Sequence, residues 1–145
     1  MRKSIYIIAE AGVNHNGSID MALQLVDIAV TSGANAVKFQ TFNAENLTIK
    51  KGDKAPYQKL TTKPDESQFE MLKRLELSLN EHHKLLKHCE ANNIDFLSTA
   101  FDLESLQFLN NVLELKTLKI PSGEITNGPL LLEYARTKRK LILST

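Results

Sequence analysis

The sequence predicts an α/β fold of about five parallel strands with intervening helices, the first half of a (β/α)₈ TIM-type barrel. Three observations lead there. Short β-rich runs alternate with stretches of helical hydrophobic period in the order β-α-β-α-β-α-β-α-β, the pattern of a parallel sheet with right-handed crossovers. No Gly-x-Gly-x-x-Gly and no P-loop follows the first strand, which counts against an open nucleotide-binding sheet. Polar residues stand at or just past the C-terminal end of every strand, where parallel α/β folds gather ligands. A complete barrel takes about 250 residues. The 145 residues here are therefore expected to form one N-terminal portion, 1–145, truncated on an uncovered strand. The competing architecture, a flavodoxin-like open sheet, would set the first and third strands side by side.

Composition narrows the function classes. Hydrophobic content of 42%, charged content of 24% and a net charge of +1 are those of a soluble globular domain. Acids and bases are mixed, with no basic stripe interleaved with aromatics, so no nucleic-acid partner is expected. The single cysteine, Cys89, excludes a disulfide-stapled scaffold. The charged start and short apolar run at the N-terminus are broken by Glu10, unlike a signal peptide, and no stretch approaches transmembrane length. A cytoplasmic protein with no membrane partner is the expectation.

In chain order, residues 5–9 form a nearly all-apolar run, expected as a strand buried on both faces. A polar turn follows, and Ser18 is a plausible N-cap for a helix carrying Ile19, Leu23, Val26 and Val30, with Gly33 at C′. In the second strand, residues 36–42, Val37, Phe39 and Thr41 alternate with Lys38, Gln40 and Phe42. Both faces of a strand between helices are covered, so Lys38 must meet an anion. Residues 43–64 lack any period and read as a long functional loop. Helical spacing resumes over 65–75, and Asn80 is taken as the cap of a second helix bearing Leu85, Leu86 and Cys89. A third strand spans 94–99, and Asp102 caps a helix with Leu106, Leu109 and Leu113 inward. A fourth strand spans 117–120, Asn127-Gly128-Pro129 opens another helix, and residues 140–144 form the fifth strand.

The strand ends carry Glu10, Lys38 and Gln40, Ser98 and Thr99, Lys119, Ser122 and Glu124, and Ser144. Two lysines with several hydroxyls suit a phosphate or a phosphate-plus-carboxylate ligand. Carboxylates beside such an anion are better used to accept hydrogen bonds from sugar hydroxyls or to move protons. The combination points to an enzyme joining a small phosphorylated acid to a polyhydroxylated partner.

These residues carry a resemblance. Ile8-Ala9-Glu10-Ala11-Gly12-Val13-Asn14-His15-Asn16-Gly17-Ser18 resembles the opening signature of the sialic acid synthase (N-acetylneuraminate synthase) family. Gly33-Ala34-Asn35-Ala36-Val37-Lys38-Phe39-Gln40-Thr41, Leu97-Ser98-Thr99-Ala100-Phe101-Asp102 and Lys119-Ile120-Pro121-Ser122-Gly123-Glu124 are similar to its next three strand motifs, and Leu141-Ile142-Leu143-Ser144-Thr145 to the fifth. Five motifs in register cover essentially the whole chain. The resemblance implies a barrel enzyme, a transferase of cell-surface polysaccharide biosynthesis. It would condense phosphoenolpyruvate with N-acetylmannosamine or a related N-acetylated hexosamine and release phosphate. It further implies that Lys38, Thr99, Lys119, Ser122 and Ser144 hold phosphoenolpyruvate, that Gln40 and Glu124 contact the sugar, and that Glu10 transfers a proton. The divalent metal it implies, Mn or Mg, would take its histidines from later strands, which are absent here together with the family's C-terminal antifreeze-like domain. The isolated portion is therefore expected to be inactive. Homodimerisation or self-association through exposed sheet edges is expected, and a non-catalytic anion-binding half-barrel is the alternative.

The remaining candidates have plainer readings. His15 is expected to be a turn histidine bonded locally, and His82, His83 and His88 solvated helix positions. Cys89 is expected to be a small core residue.

Overall fold

Strand order decides between the two architectures. In a computed structural model that describes residues 5–48 and 66–145, five strands pair in parallel. They are β1 (Ile8–Gly12), β2 (Ala36–Thr41), β3 (Asp95–Ala100), β4 (Thr117–Ile120) and β5 (Lys140–Leu143). They lie in the sheet in the order β1-β2-β3-β4-β5. Each strand therefore neighbours the one before it, as in a barrel, and β2 separates β1 from β3. The flavodoxin-like alternative is excluded. The connections hold α1 (Ile19–Thr31), α2 (Ala44–Leu47), α3 (Gln68–Leu75), α4 (Leu79–Ala91), α5 (Leu103–Gln107) and α6 (Gly128–Arg136). A π-helical turn, Phe108–Val112, extends α5, and a 3₁₀ turn, Ser122–Glu124, follows β4.

Capping explains where the helices begin. Ser18 accepts from the Met21 N–H and Asp102 from that of Ser105, as the sequence predicts, and Asn127 accepts from that of Leu130. The cap of α4 is Ser78 rather than Asn80. Ser78 and Glu81 form a reciprocal capping box that satisfies two backbone donors, whereas Asn80 lies inside the first turn, where its side chain can do neither. Ser67 and Glu70 repeat the device on α3, so that helix starts at Gln68 rather than residue 65. The short helix α2 interrupts the stretch expected to be irregular, capped by the Asn43 side chain. Residues 49–64 of that stretch lie outside the described residues.

The core lies between the sheet and its helices. Val37 and Phe39 of β2 are fully covered and pack with Val26, Leu85, Cys89 and Phe96. Burial pushes the Cys89 thiol up to about 12, so the sulfur is an inert core atom, as expected. Beyond α5, the wider π turn brings the Leu113 N–H to the Phe108 carbonyl and the Leu115 N–H to that of Leu109. This buries Leu109, Leu113 and Leu115 together. The first strand departs from expectation. It begins at Ile8, and Ile5, Tyr6 and Ile7 are exposed. Its partner explains the shift. Asn35 turns into β2 there, and the Ile7 carbonyl accepts from the Asn35 and Ala36 N–H groups before ladder pairing starts at Ile8↔Ala36.

Tyr134 ties α6 to the sheet. Its hydroxyl accepts from the Ala100 N–H at 3.1 Å and lies 2.9 Å from the Ala100 carbonyl and 3.1 Å from that of Lys119. The ring is wholly buried. Tyr134→Phe keeps the ring but strands the Ala100 N–H in the interior, a loss of about 1–3 kcal/mol. Urea unfolding should show the midpoint fall with unchanged slope; an unmoved midpoint would mean that the hydroxyl contributes nothing.

Candidate functional site

Alternation along β2 divides its side chains between two environments. Val37, Phe39 and Thr41 face the helices, while Lys38 and Gln40 leave the other side of the sheet. There they meet side chains from β1, β3, β4 and the segment after β5. A cleft of about 370 Å³ is lined by Glu10, Lys38, Gln40, Thr99, Lys119, Ser122 and Ser144. Gly12, Val13, Asn14, Phe101 and Pro121 complete its wall. A larger hollow of about 620 Å³ lies beside Phe101, but its Asp102, Glu104 and Glu133 are all engaged in local hydrogen bonds or ion pairs.

A bulge aims Glu10 into the cleft. Between Glu10↔Lys38 and Gly12↔Phe39 the ladder advances two residues on β1 and one on β2, so Ala11 is extra and the strand bends there. The Glu10 carboxylate then reaches the Lys38 ammonium at 2.7 Å. Lys38 is only 8% exposed and also donates to the Thr99 hydroxyl at 3.3 Å. An ammonium this buried requires such partners. Glu10 itself keeps a side chain 58% exposed, open to whatever enters.

Lys119 completes the cationic side. Thr99 and Lys119 are register partners across β3 and β4, and Lys119 donates to the Ser144 hydroxyl. Burial, and then the like charge of Lys38, hold the Lys119 ammonium below its ordinary pKa, with Glu10 acting the other way. Two lysines against one carboxylate leave the cleft with a positive excess. Such a cleft can attract an anion.

Glu124 stands apart from the others. The 3₁₀ turn carries it away from the cleft wall, and its carboxylate accepts from the Asn127 side chain at 2.7 Å. Phe101 and Asn14, which the strand-end reading missed, lie just beyond β3 and β1. Their signal was position alone, since the residues that follow barrel strands form the rim.

The histidines are engaged elsewhere. The Gly17 N–H donates to His15 Nδ1 at 3.0 Å, the local bond the sequence predicts. His15 is fully buried, its Nε2 has no partner among the described residues, and burial holds its pKa low. His82 is 1% exposed, not solvated, because Thr41 receives it across the α4–β2 contact. His83 bonds the Leu79 carbonyl and His88 pairs with Asp27. Among the described residues no three His, Cys, Asp or Glu side chains gather to hold a metal ion. The described residues do not fit the divalent metal that the resemblance implies. No helix among them is long and apolar enough to cross a membrane.

Comparison with known proteins agrees with this fold. The NeuB family model matches residues 25–145. The N,N'-diacetyllegionaminic acid synthase of Campylobacter jejuni is 55% identical over 145 residues, all of this chain and 43% of the relative. The synthase of the same name from Legionella pneumophila is 52% identical over 140 residues, 97% of this chain and 39% of the relative. Among solved structures, the N-acetylneuraminic acid (sialic acid) synthetase of Leptospira borgpetersenii, in complex with citrate, superposes with a TM-score of 0.79 at 31% identity. That match covers 97% of this chain and 44% of the solved one. The chain thus spans less than half the length of these relatives, whose fold is a TIM barrel. β2 to β5 fall within the family match and β1 within the match to the Campylobacter jejuni relative, and the chain belongs to the NeuB family.

Proposed function

We propose that the protein is the phosphoenolpyruvate-binding portion of a nonulosonic acid synthase, a transferase that condenses phosphoenolpyruvate with an N-acetylated hexosamine. The observation that carries this reading is the pairing of Lys38 and Lys119, with Thr99 and Ser144 beside them, in one cleft. The two ammonium groups and the hydroxyls of Thr99, Ser122 and Ser144 take the phosphate and carboxylate. Gln40, and Glu124 from the rim, take the sugar. The enol carbon forms a bond to the sugar's aldehyde carbon, whose oxygen becomes a hydroxyl by gaining a proton. Water adds to the neighbouring, now electron-poor carbon and gives its proton to Glu10. The resulting tetrahedral centre expels phosphate by C–O cleavage, its hydroxyl proton leaving with the phosphate and a ketone remaining, while the proton held by Glu10 balances the one taken up by the sugar oxygen. The 55% identity to a diacetyllegionaminic acid synthase favours a di-N-acetylated sugar over N-acetylmannosamine. The metal and the remaining sugar contacts would come from segments beyond the matched region, and residues 1–145 alone are then expected to be inactive.

The test is phosphate release by the protein extended over its relatives' length, with added Mn or Mg. Release should require both phosphoenolpyruvate and an N-acetylated sugar. Release from phosphoenolpyruvate alone, or no release with any N-acetylated hexose offered, would overturn the reading.

A further inference from the structure

On the helix-facing side of the sheet, behind the cleft, four groups form a single hydrogen-bonded chain. His82 of α4 sets Nδ1 3.0 Å from the Ser78 carbonyl and Nε2 2.8 Å from the Thr41 hydroxyl. The Thr41 hydroxyl lies 2.7 Å from that of Ser98. A carbonyl only accepts, so Nδ1 carries the proton and the neutral ring's Nε2 accepts from Thr41. Thr41, its one proton given, accepts from Ser98. His82, Thr41 and Ser98 are all buried. Burial holds His82 below its ordinary pKa. The carbonyls of Ser78 and Gln40 and the Glu81 carboxylate act the other way, and the neighbouring His83 adds to the lowering.

The two hydroxyl bearers adjoin cleft residues. Thr41 follows Gln40 and Ser98 precedes Thr99, and successive strand side chains leave opposite faces. A peptide pinned from behind therefore fixes where the next side chain enters the cleft. Gln40 depends on this more than its neighbours do. Lys38 is held by Glu10 and Thr99, and Lys119 by Ser144, but among the described residues no side-chain hydrogen bond to the Gln40 amide is found. Its aim rests on its backbone. Valine at 41 and alanine at 98 would fill an otherwise apolar layer, whereas buried polar groups stabilise only when every member is satisfied. Directional bonds do what apolar packing does not: they set a position.

We propose that the Ser78–His82–Thr41–Ser98 chain is a positioning device for the site, in which His82, through Thr41, fixes the end of β2 and so the place where Gln40 meets the sugar. This rests on the assignment of Gln40 to the sugar side of the cleft.

Thr41→Val removes the hydroxyl at nearly constant volume, and Thr41→Ser restores it. In the protein carried to its relatives' length, T41V should raise the half-saturating sugar concentration about tenfold, the worth of one or two hydrogen bonds. Phosphoenolpyruvate should stay within about twofold of wild type, and T41S should return both. Equal changes for the two substrates, or no rescue by serine, would show that the chain only holds α4 on the sheet, overturning the proposal. Absence of turnover in the wild type would refute the synthase reading alone. The positioning is then read by NMR of the Gln40 side-chain amide, which should move in T41V and return in T41S; an unmoved signal overturns it. Should T41V not fold, Thr41→Ala, which removes the hydroxyl without setting a methyl against His82 and Ser98, carries the same readouts.

Discussion

Lys119→Ala weakens phosphoenolpyruvate binding about 100-fold, close to the 3 kcal/mol expected for a charge-assisted contact to an anion. Calorimetry at fixed, moderate salt measures it. The lysine has no buried carboxylate to strand, since its described hydrogen bond is to Ser144. Its removal also relieves the repulsion from Lys38 that helps depress its own pKa. The unfolding midpoint should therefore hold while affinity falls, and Lys119→Arg should recover part of the loss by keeping the charge. Unchanged affinity in Lys119→Ala would sink the anion-site assignment. Lys38→Ala tests the same ligand less cleanly, because it also removes the ion pair that holds Glu10.

The pH dependence of that binding has a definite sign. Lys119 lies below its ordinary pKa in the folded protein because of burial and Lys38, and a bound anion favours the charged form and draws the pKa back up. Binding then takes up protons, and affinity falls as pH rises through the lowered pKa. Stability of the free protein runs the other way. Between the lowered value and the ordinary one, the unfolded chain holds a proton that the folded chain has lost, so stability rises with pH across that window.

Gly17→Ala destabilises the fold by about 4 kcal/mol or more, enough to threaten a domain whose total stability is typically 5–15 kcal/mol. Gly17 has φ +78, and a Cβ there would sit 2.1 Å from the Arg74 carbonyl oxygen at the end of α3. The left-handed backbone costs a non-glycine residue about 1–2 kcal/mol. The clash adds the rest, because the obstacle is backbone and cannot swing aside. Gly123, with nothing within 4 Å of its Cβ position and no left-handed φ, is the control, and Gly123→Ala should change the midpoint little. Equal midpoints for the two variants would show that α3 yields freely. If α3 does not yield, the turn bearing Asn14 lifts from its place and the cleft loses part of its wall.

The β2 alternation was the most legible part of the site. Lys38 and Gln40 on a covered strand already demanded a polar chamber, and the matching positions on the other strands said where it lay. What escaped sequence reading depended on partners distant in the chain. Nothing local separates His82 from His83; Thr41, far earlier in the sequence, makes one a buried bridge and leaves the other half-exposed. The apolar run at residues 5–7 resembles a strand centre, yet its neighbour, the Asn35 turn, decides that pairing starts later. The α4 cap was legible after all, since Ser78-x-x-Glu81 is a capping-box pattern, but the nearby Asn80 competed with it on propensity alone. Glu124 shared the strand-end pattern, but the 3₁₀ turn that sets it at the rim beside Asn127 could not be read from it.

The strand order has a consequence for how the molecule is made. Each strand pairs with the one synthesised just before it, so a nascent chain can add one βα unit at a time to an existing sheet edge. β2 waits longest, since Val37 pairs with Phe96, but loop-closure entropy grows only slowly with length. The binding chamber matures on the same schedule. Glu10 and Lys38 can neutralise each other once β2 docks, Thr99 joins with β3, and the second cation arrives only with β4. A nascent chain with three strands docked thus carries a charge-balanced pair, and the cleft gains its positive excess only when Lys119 joins with β4.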